Sequence, residues 1–121
     1  MKTDNIDNAL VAQKNSILNL IMSARNRGVI ATNVDERRNA LRELLAIQWT
    51  IAINQKLWSE LDYGYKTCEL IDSLIEAIRT VQNLCHSNSK KLINKCDSIV
   101  SRCYAIRSIA YREHHERMAN C

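Results

Sequence analysis

Proline is absent from this chain of 121 residues, and glycine occurs only twice, at Gly28 and Gly64. Proteins rich in β-structure or in long loops depend on these two residues for their turns, so their scarcity favours long uninterrupted helices. Hydrophobic residues make up 46% of the chain and charged residues 25%, which is close to average globular usage and excludes wholesale disorder. We therefore predict a single all-α domain over residues 1–121.

The chain also lacks a long apolar run. The longest apolar region, Leu44 to Ile53, is interrupted by Gln48 and Thr50 and is too short to cross a bilayer. Residues 1–8 precede no unbroken apolar stretch, so we expect no signal peptide. We predict a cytoplasmic protein without membrane contact, whose five cysteines, an odd number, are reduced residues of the core.

The sequence patterns that hold metals and nucleotides are missing. No histidine has a glutamate three residues before it, as di-iron helical bundles require, and the cysteines form no Cys-x-x-Cys pair. Neither glycine belongs to a phosphate-binding loop. Cys85, His86 and Cys96 flank one predicted turn, but three ligands without a fourth make a poor structural zinc site. The sequence therefore predicts no metal, no cofactor and no small-molecule substrate.

Four segments with helical periodicity follow one another along the chain. They run from Asp4 to Arg27, from Val34 to Leu61, from the break at Asp62–Tyr65 to Cys85, and, after a turn at Ser87–Ser89, from Lys90 to Arg117. Gly28 is expected at the C′ position that ends the first helix, and Thr32 with Asp35, or Asn33 with Glu36, has capping-box spacing. Short connections predict an antiparallel up-down four-helix bundle, although long hairpins exchanged between protomers would satisfy the same pattern.

The first two segments carry more apolar surface than one core needs. The first has its main stripe at Ile6, Leu10, Ile17, Leu20, Ile21 and Ala24, and a second at Val11, Leu18 and Met22. The second segment has one apolar side at Leu41, Leu44, Leu45, Ile51, Ala52 and Trp58, and another at Ala46, Trp49, Ile53 and Leu57. A helix that is apolar on two sides is buried on two sides, either centrally in its own fold or against a partner. We predict partner contacts and a homodimer through helices 1 and 2.

The net charge of +4 is concentrated near the end of the sequence. Residues 1–88 hold ten basic and ten acidic side chains, whereas residues 89–121 hold seven basic and three acidic ones. Lys91, Lys95 and Arg102 line one edge of the fourth segment, where they could attract phosphate or an acidic protein surface. A solvated helix face has the same pattern.

Arg107 and His114 lie seven residues apart and share a helix face. The pair resembles the Arg-x4-6-His pattern of HEPN-type ribonucleases, which are small all-helical proteins that dimerise. The resemblance implies that Arg107 would stabilise charge on an RNA phosphate while His114 transfers protons. The chain departs from the family where Ser108 replaces an often amide residue, and no helix follows His114.

We conclude from the sequence that the chain is more plausibly a non-enzymatic interaction protein than an enzyme. It would act as an adaptor, inhibitor or regulator that presents helix surfaces to a protein partner, including a second copy of itself. The alternative is a nucleic-acid-binding helical protein, or a HEPN-like ribonuclease, that uses the basic C-terminal helix.

Overall fold

A computed structural model describes residues 2–61, 64–85 and 89–119, and only the backbone of residues 2–7, 64, 65 and 117. These residues form four α-helices and no strand, which confirms the predicted helical class. The helices are α1 (Lys2–Ile30), α2 (Val34–Glu60), α3 (Gly64–Asn83) and α4 (Lys90–Ala119). The predicted boundaries fall within about one turn of these. Asp62, Tyr63, His86, Ser87, Asn88 and the side chain of Ile6 lie outside the described residues.

Gly28 does not end α1, and the prediction that it occupies the C′ position was wrong. The helix continues to Ile30, and Gly28 is buried within it. A Cβ atom built on Gly28 would lie 2.6 Å from Cγ2 of Val81 and 3.3 Å from the Cβ of Ala40. Glycine is therefore required here by the close approach of α2 and α3 to α1, which the local sequence does not reveal.

The start of α2 is fixed by one of the two predicted capping pairs. Asn33 is the N-cap, and its Oδ1 accepts a hydrogen bond from the backbone N–H of Glu36 at 2.9 Å. Oε2 of Glu36 accepts in return from the backbone N–H of Thr32, also at 2.9 Å. Two donors at the helix start, which have no partner within the helix, are thereby satisfied.

The core lies between two central helices. α2 and α3 each contact all three other helices, whereas the described parts of α1 and α4 have no Cα atoms within 8 Å of each other. The largest fully buried apolar side chains are Ile21, Leu41, Leu44, Ile51, Leu70, Ile71, Leu74, Ile78, Val81 and Val100. Leu20, which we predicted to be in the core, is 53% exposed because it lies at the edge of the buried stripe. None of the helices, as far as the structure describes them, is long and apolar enough to span a bilayer.

Candidate interaction surface on α2 and α4

The second apolar stripe of α2 faces solvent. Trp49 is 56% exposed, Ile53 75% and Leu57 50%, whereas Trp58 on the other side of the helix is 3% exposed. Nε1 of Trp58 donates a hydrogen bond to Oε1 of Gln13 at 3.0 Å, so this tryptophan joins α2 to α1. The stripe with Trp49 is therefore not core, even though α2 is a central helix of the fold.

Two glutamines of α2 fix the position of α4 beside it. Nε2 of Gln48, a buried side chain, donates to the carbonyl oxygen of Ile99 at 2.7 Å and to Sγ of Cys103 at 3.0 Å. Farther along the helix, Nε2 of Gln55 donates to Oε2 of Glu113 at 2.6 Å. Because a buried amide without partners would be costly, these bonds favour one relative placement of the two helices.

A groove of about 350 Å³ lies between α2 and α4. It is lined by Gln48, Trp49, Ala52, Arg102, Ala105 and Ile106. Ala52 and Ala105 have small side chains, which leave space between the two helices. The larger side chains of Trp49 and Arg102 line the same space. The sequence assigned Trp49 and Arg102 to two separate surfaces, and the structure brings them to one groove. Ala52 was assigned to the side of α2 with Trp58 and Ala105 was missed, because only the pairing of α2 with α4 gives these alanines a role.

The other cations predicted to bind anions lie on the same edge of α4. At about 100° per residue, Lys91 and Lys95 share the side of α4 that carries Arg102 and faces α2. By the same geometry, Arg42 lies on the side of α2 that carries Trp49. None of these four side chains forms an ion pair with another described residue. Their charges are therefore available to a ligand.

The structure does not bring the second stripe of α1 to this surface. Val11 and Met22 are 40% and 43% exposed, and Leu18 is half-buried against the core. Gln13 contacts α2 and Lys14 pairs with Glu69 of α3. Helical geometry therefore places Val11, Leu18 and Met22 on the α3 side of α1, away from the stripe with Trp49.

Comparisons with protein-family models, with curated proteins and with solved structures gave no match.

Arg107 and His114 line a second groove, of about 370 Å³, on the α3 side of α4. Nε of Arg107 donates to Oδ1 of Asp72 at 2.7 Å, and Nη2 donates to Oδ2 at 3.4 Å. These hydrogen bonds to the carboxylate of Asp72 raise the pKa of Arg107. Cys68, Glu69, Tyr111 and His115 complete the lining. The guanidinium group of Arg107, which would have to bind a phosphate, is therefore already paired with the carboxylate of Asp72.

The described cysteines are suited to packing rather than to ligation. Cys68, Cys96 and Cys103 are buried, and burial raises the pKa of the Cys96 thiol to about 12. A thiol with that pKa stays protonated at neutral pH, as expected for a residue that packs in the core. Across the described ranges, no three His, Cys, Asp or Glu side chains are arranged to hold a metal ion.

Proposed function

We propose that this chain is a non-enzymatic interaction protein that binds a macromolecular partner. The binding region is the groove between α2 and α4 together with the exposed Ile53, which we call the α2–α4 surface. The observation that carries the proposal is the groove that Trp49 and Arg102 both line, next to Ile53, which is 75% exposed. Single exposed apolar residues are ordinary, but a half-exposed tryptophan beside an apolar groove and an available arginine is typical of contact surfaces. Tryptophan and arginine are also the residues that most often dominate binding energy.

The proposal is tested by exchanging Trp49 and Ile53 for glutamine. Because both side chains are exposed, we expect circular dichroism to show unchanged helicity, while a protein captured by the wild type is lost. Val29 on α1 and Tyr104 on the side of α4 away from the groove are also exposed, at 40% and 54%, and their exchange for glutamine is the matched control that retains the partner. Unfolding of the Trp49 and Ile53 variant, or capture of the same proteins by it, would contradict the proposal.

We also infer an antiparallel up-down order of the helices. Bonded side-chain pairs support it, because residue numbers rise along one helix as they fall along its neighbour. The pairs between α1 and α2, then between α3 and α4, are Gln13–Trp58, Arg27–Glu43, Asp72–Arg107 and Arg79–Asp97. The arrangement differs from a square bundle in having α2 and α3 between α1 and α4.

A homodimer through α1 and α2 is a further part of the proposal, as is the cytoplasmic location. Leu20 and Leu57 support the dimer, since each is half exposed or more on these two helices. Val11 and Met22 would not join the same interface, because they lie on the α3 side of α1. Sedimentation at high micromolar concentration is the test, and a strict monomer would end the dimer hypothesis.

The ribonuclease alternative is favoured by one observation, the placement of Arg107 and His114 in one groove. The ion pair between Arg107 and Asp72 weighs against it, because an approaching phosphate would have to displace the carboxylate. The purified protein is incubated with single-stranded RNA. Cleavage that His114→Ala abolishes would support the ribonuclease, and no cleavage by the wild type would exclude it.

A further inference from the structure

We propose that the segment bound by the α2–α4 surface is an acidic amphipathic helix of a partner protein. This inference rests on the proposed function and adds the chemistry of the occupant. It follows from three features of the surface, which are the alignment of its cations, the orientation of the nearby carboxylates and the aliphatic lining of its groove.

The cations of α2 and α4 lie at the same end of the surface. The bonds from Gln48 to Cys103 and from Gln55 to Glu113 advance in the same direction along both helices. The part of α2 that holds Arg42 therefore lies beside the part of α4 that precedes Arg102. That part of α4 holds Lys91 and Lys95. The cations form one basic patch beside the groove rather than two scattered sets.

The nearby carboxylates do not neutralise this patch. Between residues 37 and 59 of α2 the only acidic side chain is Glu43, which pairs with Arg27 of α1. Between residues 90 and 112 of α4 the only one is Asp97, whose Oδ1 accepts hydrogen bonds from the side chains of Gln82 and Arg79 on α3. Both carboxylates face other helices, and Glu113, farther along α4, accepts a hydrogen bond from Gln55. The part of the surface around Arg42 and Arg102 therefore keeps its positive charge and complements an acidic ligand.

The lining of the groove favours a protein helix over a nucleic acid. Ala52, Ala105 and Ile106 are aliphatic, and Ile53 is 75% exposed beside them. Single-stranded nucleic acids bind by stacking bases on several aromatic rings, and Trp49 is the only aromatic residue in the lining. An amphipathic helix instead places an apolar stripe in such a groove and leaves polar residues at its edges.

The same charges argue against a second copy of this chain as the occupant. A copy that docked through the same surface would bring a second basic patch. Its carboxylate at Glu113 already accepts a hydrogen bond from Gln55. A partner with its own excess of Asp and Glu has neither disadvantage, and like charges brought together across an interface disfavour binding.

The inference is tested with a synthetic peptide helix of about 15 residues, long enough at 1.5 Å per residue to run from Arg42 past Ile53. Leucines occupy one stripe and glutamates flank it. The intrinsic fluorescence of Trp49 is the reporter, because Trp58 is already buried. We expect a blue shift with peptide, binding about tenfold weaker in Arg102→Glu, and weaker binding as salt rises from about 0.1 M to about 1 M. Lys90→Glu, the matched control on the other side of α4, should bind normally.

The control ligands separate the inference from the proposed function. A peptide with the same leucines but lysines in place of the glutamates should not bind. If it binds equally well, or if Arg102→Glu has no effect, the acidic partner is wrong while an interaction surface at Trp49 stands. If single-stranded RNA alone shifts the fluorescence, the occupant is a nucleic acid and the inference is overturned. If no ligand shifts it and exchange of Trp49 and Ile53 leaves captured partners unchanged, both proposals fail.

Discussion

Exchange of Gly28 for alanine tests how closely the helices pack around α1. In an exposed helix this exchange stabilises by about 1 kcal/mol, because alanine has the higher helix propensity. Here the added Cβ would lie 2.6 Å from Cγ2 of Val81, a buried β-branched side chain with little freedom to move. Overpacking of a core costs about 1–3 kcal/mol. We therefore expect Gly28→Ala to lower the free energy of unfolding by about 1 kcal/mol.

A second substitution makes the cause visible. Val81→Ala removes the methyl groups that would meet the new Cβ, so in that background Gly28→Ala should become neutral or stabilising by up to about 1 kcal/mol. The coupling between the two sites should then be about 1–2 kcal/mol. Urea unfolding of the four proteins of the cycle gives these values. An equal loss in both backgrounds would refute the packing argument, since it is what a strained helix end at Gly28 would produce.

Three further predictions concern individual side chains. Trp58→Ala should lower the free energy of unfolding by about 3–5 kcal/mol in urea melts, since the ring is buried, whereas Trp49→Ala should stay within about 0.5 kcal/mol of wild type; equal losses would show that Trp49 is core. Asn33→Ala removes the N-cap hydrogen bond and should lower the free energy of unfolding by about 1 kcal/mol in the same assay. An unchanged value would show that the bond is not formed. Hydrogen bonds donated by Gln82 and then by Arg79 lower the pKa of Asp97 from 3.8. The ionised carboxylate therefore stabilises the fold fully above pH 3.8, and this stabilisation disappears as the pH falls through the lowered pKa. The free energies of unfolding of wild type and Asp97→Asn should converge at that acid pH, and a constant difference between them would contradict this.

The helical class could be predicted from the sequence because it depends on local periodicity. The absence of proline allows long helices, and the helical periodicity of the apolar residues divides the chain into four of them. Gly28 was misassigned because a glycine at a helix end and a glycine at a close helix contact look alike in one sequence. What distinguishes them is Val81, a residue distant in the chain.

The candidate surface could be predicted only in part, for a related reason. Helical geometry places Trp49 and Ile53 on a different side of α2 from Trp58, but it leaves open whether that side packs in the core or contacts a partner. That Trp49 and Arg102 line one groove depends on which helices are neighbours, and contacts such as that of Gln48 with Ile99 determine this. Neither the groove nor the pairing of Arg107 with Asp72 has a signal in the local sequence.

The contrast between Arg102 and Arg107 explains why we place the binding surface on one side of α4 and not the other. The two side chains are five residues apart on one helix, so they project about 140° apart, toward α2 and toward α3. α3 supplies Asp72, which holds Arg107 in a bidentate ion pair, whereas α2 presents Gln48, Trp49 and Ala52 to Arg102 and no carboxylate. An anionic ligand would have to compete with a carboxylate at Arg107 but not at Arg102. The availability of the cation, more than its position in a motif, therefore decides which groove can attract an acidic partner.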